Sequence, residues 1–142
     1  MHPGAAEVDP ELQELSRDEC LELLEAHHVG RIAVLTDAAP VIVPVNYRLV
    51  HARGLTWIAL RTRMGGVVER SSLDVGFEID NADDPTRTGW SVLVRGTLHH
   101  LDTDAADFDE SFDSEPWLGD RHAWMIIQPY SIEGRRLIRP AD

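Results

Sequence analysis

Apolar positions along this chain follow two rhythms. Between residues 16 and 28, Cys20, Leu21, Leu24 and His28 recur at helical intervals and would line one face. The segment opens SRDE, placing Ser16 at an N-cap and Glu19 three residues on, the capping-box spacing. This helix is predicted to end near His28, before Val29-Gly30. Beyond it the rhythm shortens to two. VGRIAVL (29–35), VIVPVNYRLV (41–50), LTWIALR (55–61), DVGFEID (74–80) and WSVLVRGTLHHL (90–101) read as five strands, and HAWMIIQPYSIEGRRLIR adds a sixth. TDAAP, HARG and NADDPTRTG supply the turns between them.

Some residues qualify that pattern. Pro44 cannot donate to a ladder, so its strand is expected to be an edge or bulged there. Gly96 is expected to mark a bulge. A kink is expected at Pro129, and a turn at Glu133-Gly134. Short connecting helices are predicted over 67–72 and in the acidic block DTDAADFDESFDSEP, where Phe108 and Phe112 sit four apart. Residues 1–14 show little periodicity and read as a loose arm, leaving 15–142 as a single domain. Strands at short spacing, one leading helix and few crossovers argue for a mainly β, antiparallel sheet. Six strands of this length would most economically curl into a small barrel, which removes edges.

Composition narrows the function. The chain has 142 residues, with 25 acidic against 13 basic side chains and a net charge of -12. Every basic residue is arginine. Such a charge is repelled by a phosphate backbone, so nucleic acid is not an expected partner, and neither is an anionic membrane surface. No apolar run approaches the ~20 residues of a membrane span, and the N-terminus lacks a signal-peptide pattern. Cys20 is the single cysteine, which suits a reducing compartment; the expected location is the cytoplasm.

Few constellations carry chemistry. In IALRTRMGGVVERSS, Arg61 and Thr62 precede Gly65-Gly66. An arginine fork, a hydroxyl and closely approaching backbone amides suit a phosphate, although a strand-to-helix turn explains the same residues. Neither a Walker A loop nor a dinucleotide fingerprint is present. The pairs His27-His28 and His99-His100 point adjacent side chains apart, so no metal site is expected. The acidic block lacks the order of a calcium loop. Cys20 reads as a buried small hydrophobe. Trp90, following Gly89 at a strand start, could stack on a planar ligand.

The order of motifs is more telling than any one of them. ECLELL, VGRIAV, PVIVPVNY, IALRT…G, VGFEID and GWSVLVRG, in succession, resemble the pyridoxamine 5'-phosphate oxidase-like family of flavin-binding split barrels over residues 15 to 139. The resemblance implies a six-stranded split β-barrel that forms a homodimer with FMN at its interface. It places Val45, Asn46 and Tyr47 along the isoalloxazine ring, partly through backbone groups. It assigns Arg61 and Thr62 to the FMN phosphate, and Trp90 and Ser91 to the vicinity of the flavin or its phosphate, across the interface. It also implies a lysine where this chain has Val67, leaving Arg63 or Arg70 to supply that charge. The implied activity is a flavin-dependent oxidoreductase with a small-molecule substrate and no obligatory protein acid or base. The alternatives are a deazaflavin-dependent reductase of the same fold, or a non-catalytic dimeric module that binds flavin or haem.

Overall fold

The computed structural model describes residues 11–63, 66–68, 73–101 and 122–139. The predicted helix at Phe108 and Phe112, Trp117, Arg70 and the side chain of Arg63 lie outside the described residues. So does most of the predicted helical turn at 67–72, of which residues 67 and 68 are described, as a turn.

In chain order the elements are β1 (Glu11–Leu15), α1 (Arg17–Ala26), β2 (Val29–Val34), β3 (Val41–Ala52), β4 (Leu55–Arg63), β5 (Asp74–Asp83), β6 (Thr88–His100) and β7 (His122–Ile138). The sheet runs β1-β7-β4-β3-β2-β5-β6, and β6 pairs back onto β7. Six strands therefore close into an antiparallel barrel, with β1 as an extra strand on β7. Among the described residues α1 is the single helix, and no helix is long and apolar enough to cross a membrane.

Each element follows from local sequence. Ser16 accepts from the Glu19 amide at 3.1 Å, and the Glu19 carboxylate accepts from the Ser16 amide at 2.9 Å. Both halves of the capping box are thus made, and the same bonds hold the Glu19 carboxyl below its usual range. Between β3 and β4 only Arg53 and Gly54 remain, with φ of 54° and 72°. Two left-handed residues give the tight reverse twist that matches paired strands, with glycine taking one position at no steric cost. In the β2–β3 connection the Thr36 hydroxyl accepts from Ala38 N and donates to Ala39 O, closing a local turn.

Alternation along the strands builds the core. Ile32, Val34, Ile58, Leu60, Phe77, Ile79, Val92, Val94 and Ile127 point inward and are almost wholly buried. Each such side chain contributes about 1.5–3 kcal/mol when removed from water. A one-residue slip of any strand would turn its whole set outward, so the register is strongly fixed. From α1, Cys20 and Leu24 insert into the same core, and burial pushes the Cys20 thiol up. His28 does not join that face: the helix ends at Ala26 with His27 as C-cap, and His28 is exposed.

Two segments depart from the sequence reading. Residues 11–15 form a strand, pairing from Glu11↔Ile138 to Leu15↔Gly134. Their ELQEL pattern carries little apolar signal because the strand is almost wholly exposed; its partner lies at the other end of the chain. The expected turn at Glu133-Gly134 is absent. β7 runs through it unbroken, because the glycine answers to a close approach: a Cβ at Gly134 would lie 2.6 Å from Cys20 Sγ and 3.0 Å from Ser91 O. The irregularity expected near Gly96 and Pro129 is present. Arg95 pairs with Ser131 and Gly96 with Pro129, which leaves Tyr130 as the extra residue on β7.

Candidate functional site

The barrel is open along one seam. β3 and β4 pair from Ala52↔Leu55 as far as Tyr47↔Leu60. Past that rung they part: residues 41–46 of β3 stay paired with β2, and residues 61–63 of β4 stay paired with β7. Beyond Tyr47↔Leu60 these two segments make no further rungs with each other. Pro44 sits on the parted stretch, where its missing N–H costs nothing on the open side. Asn46 and Arg61 stand one residue beyond the last rung, at the corner of the wedge.

The pleat distributes the side chains there. Val45 and Tyr47 are buried, whereas Asn46 is exposed. Tyr47 turns into the core, where its hydroxyl donates to Leu24 O at 2.7 Å and its ring meets Phe77 edge-on at 4.9 Å. Burial, reinforced by Glu25, raises its pKa. Of the three residues expected along a flavin ring, only Asn46 therefore offers its side chain. Val45 and Tyr47 contribute backbone, and the Tyr47 amide already donates to His28 O at 2.8 Å. Arg61 and Thr62 are both half-buried and lie on opposite faces of β4, as neighbours in a strand must. The Arg61 guanidinium lies 4.5 Å over the ring of Trp124, its cross-strand partner, which holds the fork in place.

Trp90 and Ser91 are not part of this corner. They pair with Arg136 and Arg135 near the end of β7, whereas Arg61 pairs with Trp124 near its start. Twelve residues at about 3.3 Å each put up to roughly 40 Å of strand between them. Trp90 packs against His27 with ring centroids 4.9 Å apart. One chain thus brings together Asn46, Arg61 and Thr62, and holds Trp90 and Ser91 elsewhere. Val67 is half-buried against the core and Val68 is buried, so their side chains extend the apolar packing.

Sequence reasoning missed Trp124 beneath Arg61 and His27 beside Trp90. Both are long-range pairings with no spacing signal. It also missed a charged group on the outside of the barrel. Arg31 Nη1 lies 3.1 Å from Glu78 and 3.3 Å from Asp80. Burial, then the neighbouring Asp80, pushes the Glu78 carboxyl up to about 7, while hydrogen bonding from Glu78 and Arg31 lowers that of Asp80. Among the described residues no group of three His, Cys, Asp or Glu is placed to hold a metal ion.

A closed antiparallel barrel that parts along one seam, with an arginine and a threonine at the parting, defines the class of small split-barrel proteins. The chain belongs to the pyridoxamine 5'-phosphate oxidase family, whose model matches residues 16–136. It is 32% identical to the uncharacterised protein Rv0080 of Mycobacterium tuberculosis, over 97% of this chain and 96% of that one. A crystal structure of a conserved protein of unknown function, DIP1874 from Corynebacterium diphtheriae, superposes with a TM-score of 0.76 at 26% identity, over 89% and 98% of the two chains. The FAD binding protein from Mycobacterium smegmatis gives a TM-score of 0.66 at 27% identity, again over 89% and 98%. Family model and solved structures agree on the split-barrel fold over nearly the whole chain.

Proposed function

We propose that the wedge between β3 and β4 binds FMN at the interface of a homodimer, and that the protein is a flavin-dependent oxidoreductase of the cytoplasm acting on a small molecule. The observation that carries this reading is the parted seam itself. Where β3 and β4 stop pairing with each other, a gap opens between two strand edges that suits a planar heterocycle, which neither face of an intact sheet could receive. The residues fit the cofactor: Arg61, braced by Trp124, offers a bidentate fork to a phosphate, and Thr62 adds a hydroxyl. Asn46 reaches the same corner from β3. When bound, the flavin supplies hydride and electron transfer. The chain's own part is to bind, orient and exclude water, and a catalytic acid or base is not required of it.

The distribution of residues supports the homodimer in this reading. Trp90 and Ser91 lie at the far end of β7 from Arg61, so a second copy is needed if both pairs are to meet one ligand. The -12 charge and the lone buried Cys20 support the exclusion of nucleic acid and the cytoplasmic setting.

Titration of FMN into wild type, Arg61→Ala and Asn46→Ala, followed by quenching of flavin fluorescence, tests the wedge. Loss of a charged hydrogen bond should weaken Arg61→Ala roughly ten- to a hundred-fold. Equal affinity in wild type and Arg61→Ala would remove the proposed phosphate site. Preference for a deazaflavin in the same titration would move the proposal to the reductase alternative.

A further inference from the structure

A second groove lies away from the wedge, where β5, β6 and β7 run out past α1. It is an open, shallow groove of about 600 Å³. Its floor is a cross-strand row. Asn81 pairs with Trp90, and Trp90 pairs with Arg136. Directly opposed residues in a sheet share a face, so amide, indole and guanidinium stand side by side. They share the face of Val92, which is buried in the core two residues from Trp90; the row therefore continues the barrel interior out to solvent. Asp83, Thr88 and Arg139 complete the walls.

These groups divide by chemistry. His27 packs against Trp90 at a tilt and fixes the indole, whose remaining surface lines the groove. An indole face stacks on a heterocyclic base, and a side-chain amide can pair with the adjacent N6 and N7 of adenine. Arg136 and Arg139 make no ion pair within 4.0 Å among the described residues, although the Glu19 carboxylate of α1 lies near enough to feel the charge of Arg136, in a chain where acidic residues outnumber arginines 25 to 13. Two such arginines on one wall call for an anion, and phosphate matches their forks. Asp83 argues against a bare anion. Its carboxylate accepts from the Thr86 hydroxyl at 2.9 Å, and a placed carboxylate of this kind suits ribose hydroxyls. Base, sugar and phosphate recognition thus lie in one groove.

We infer that this groove binds the adenosine diphosphate moiety of a nucleotide, with Trp90 and Asn81 on the base, Asp83 on the ribose and Arg136 with Arg139 on the phosphates. The moiety has two sources in a flavin protein: the tail of a dinucleotide flavin, or that of a dinucleotide electron donor. The site itself stands on the groove, and only the choice of source rests on the proposed function.

Calorimetric titration of ADP into the full chain with and without bound FMN tests it, since a dinucleotide flavin shares one of the two phosphates with FMN, and FMN affinity is measured in the same preparations. ADP should bind one per chain, and Arg136→Ala and Arg139→Ala should each weaken it about ten-fold. Both variants should melt within a few degrees of wild type and keep FMN affinity within about two-fold, which separates loss of this groove from loss of the wedge. If the chain binds no FMN, the ADP titration is run on the protein alone, so the two proposals fail independently. Tighter binding of FAD than FMN, with the advantage lost in Arg136→Ala, assigns the tail to the cofactor. Competition of ADP with NADH, without effect on flavin, assigns it to the donor. Either result supports the groove. Absence of ADP binding at millimolar concentration overturns it, as does equal binding by wild type and the double variant. Inorganic phosphate competing as well as ADP overturns it too, leaving a simple anion site.

Discussion

Glu78 illustrates how one residue can make stability depend on pH. Its carboxyl is partly buried against the barrel wall, 3.1 Å from Arg31 and beside Asp80. Burial is the larger cause of its pKa of about 7, and Asp80 adds to it. A carboxyl raised in the folded state favours the protonated form, so the fold gains most below the unfolded value and loses that gain as pH rises through about 7. Asp80 acts in the opposite sense, its lowered pKa giving stability above the unfolded value, with the loss coming only in acid. Between pH 5 and 8 the Glu78 effect is the one that changes. Because both carboxylates are partly solvated, the loss should be about 1 kcal/mol rather than the full shift. Urea unfolding at pH 5, 6, 7 and 8 should show wild type weakening across the range and Glu78→Gln nearly flat. A parallel slope in both proteins would assign the dependence to other groups. The same scale shows how far single residues were legible: PVNY located the wedge, but not which of its side chains face it. Tyr47 reads as a polar aromatic beside Asn46, and only the carbonyl of Leu24, 23 positions earlier, explains why it turns inward.

At the scale of elements, local signals and long-range ones separated cleanly. α1 was legible because its capping box is contained in four residues. The strands 29–34, 41–52, 55–63 and 74–83 were legible because one face of each is buried and alternation records it. β1 was not, since a strand with both faces near solvent keeps no apolar rhythm. β7 was misread at Gly134 because a glycine needed for packing looks, in sequence, like a glycine needed for a turn. That distinction can be measured. A Cβ at Gly134 would meet Cys20 Sγ at 2.6 Å, Ser91 O at 3.0 Å and Leu15 Cδ1 at 3.1 Å. Gly134→Ala should cost about 1–3 kcal/mol by forcing α1 off β7. In a Cys20→Ala background the cost should shrink by at least about 0.5 kcal/mol, the coupling expected of residues in contact. Additive losses in the double variant would show that the sulfur is not the obstacle.

For the whole molecule, the separation of Arg61 from Trp90 would, under the proposed dimer, make cofactor affinity a property of assembly. If the two ends of β7 meet one flavin only across a dimer, dilution must release the ligand. Flavin retention measured against protein concentration should fall off at the concentration where light scattering reports monomer, and the two midpoints should agree within about three-fold. Retention by a monomer at full affinity would place the whole site within one chain. The family and the barrel were legible from an ordered set of short motifs spread over the chain. The groove with Asn81 and Arg136 was not, because it is made by register between strands and has no contiguous signature.

The length of β7 also governs how the chain can fold as it is made. Its 17 residues join β1, β4 and β6 at once, and among the described strands it is translated last. Until it emerges from the ribosome, β1 has no partner, and β4 and β6 each present an open edge. The nascent sheet β4-β3-β2-β5-β6 is therefore a template for pairing with another chain. Docking of β1 then requires contacts between residues 11–15 and 134–138, nearly the full described sequence apart, which is the slow kind of step. The same strand that seals the barrel makes its synthesis a race between closure and aggregation.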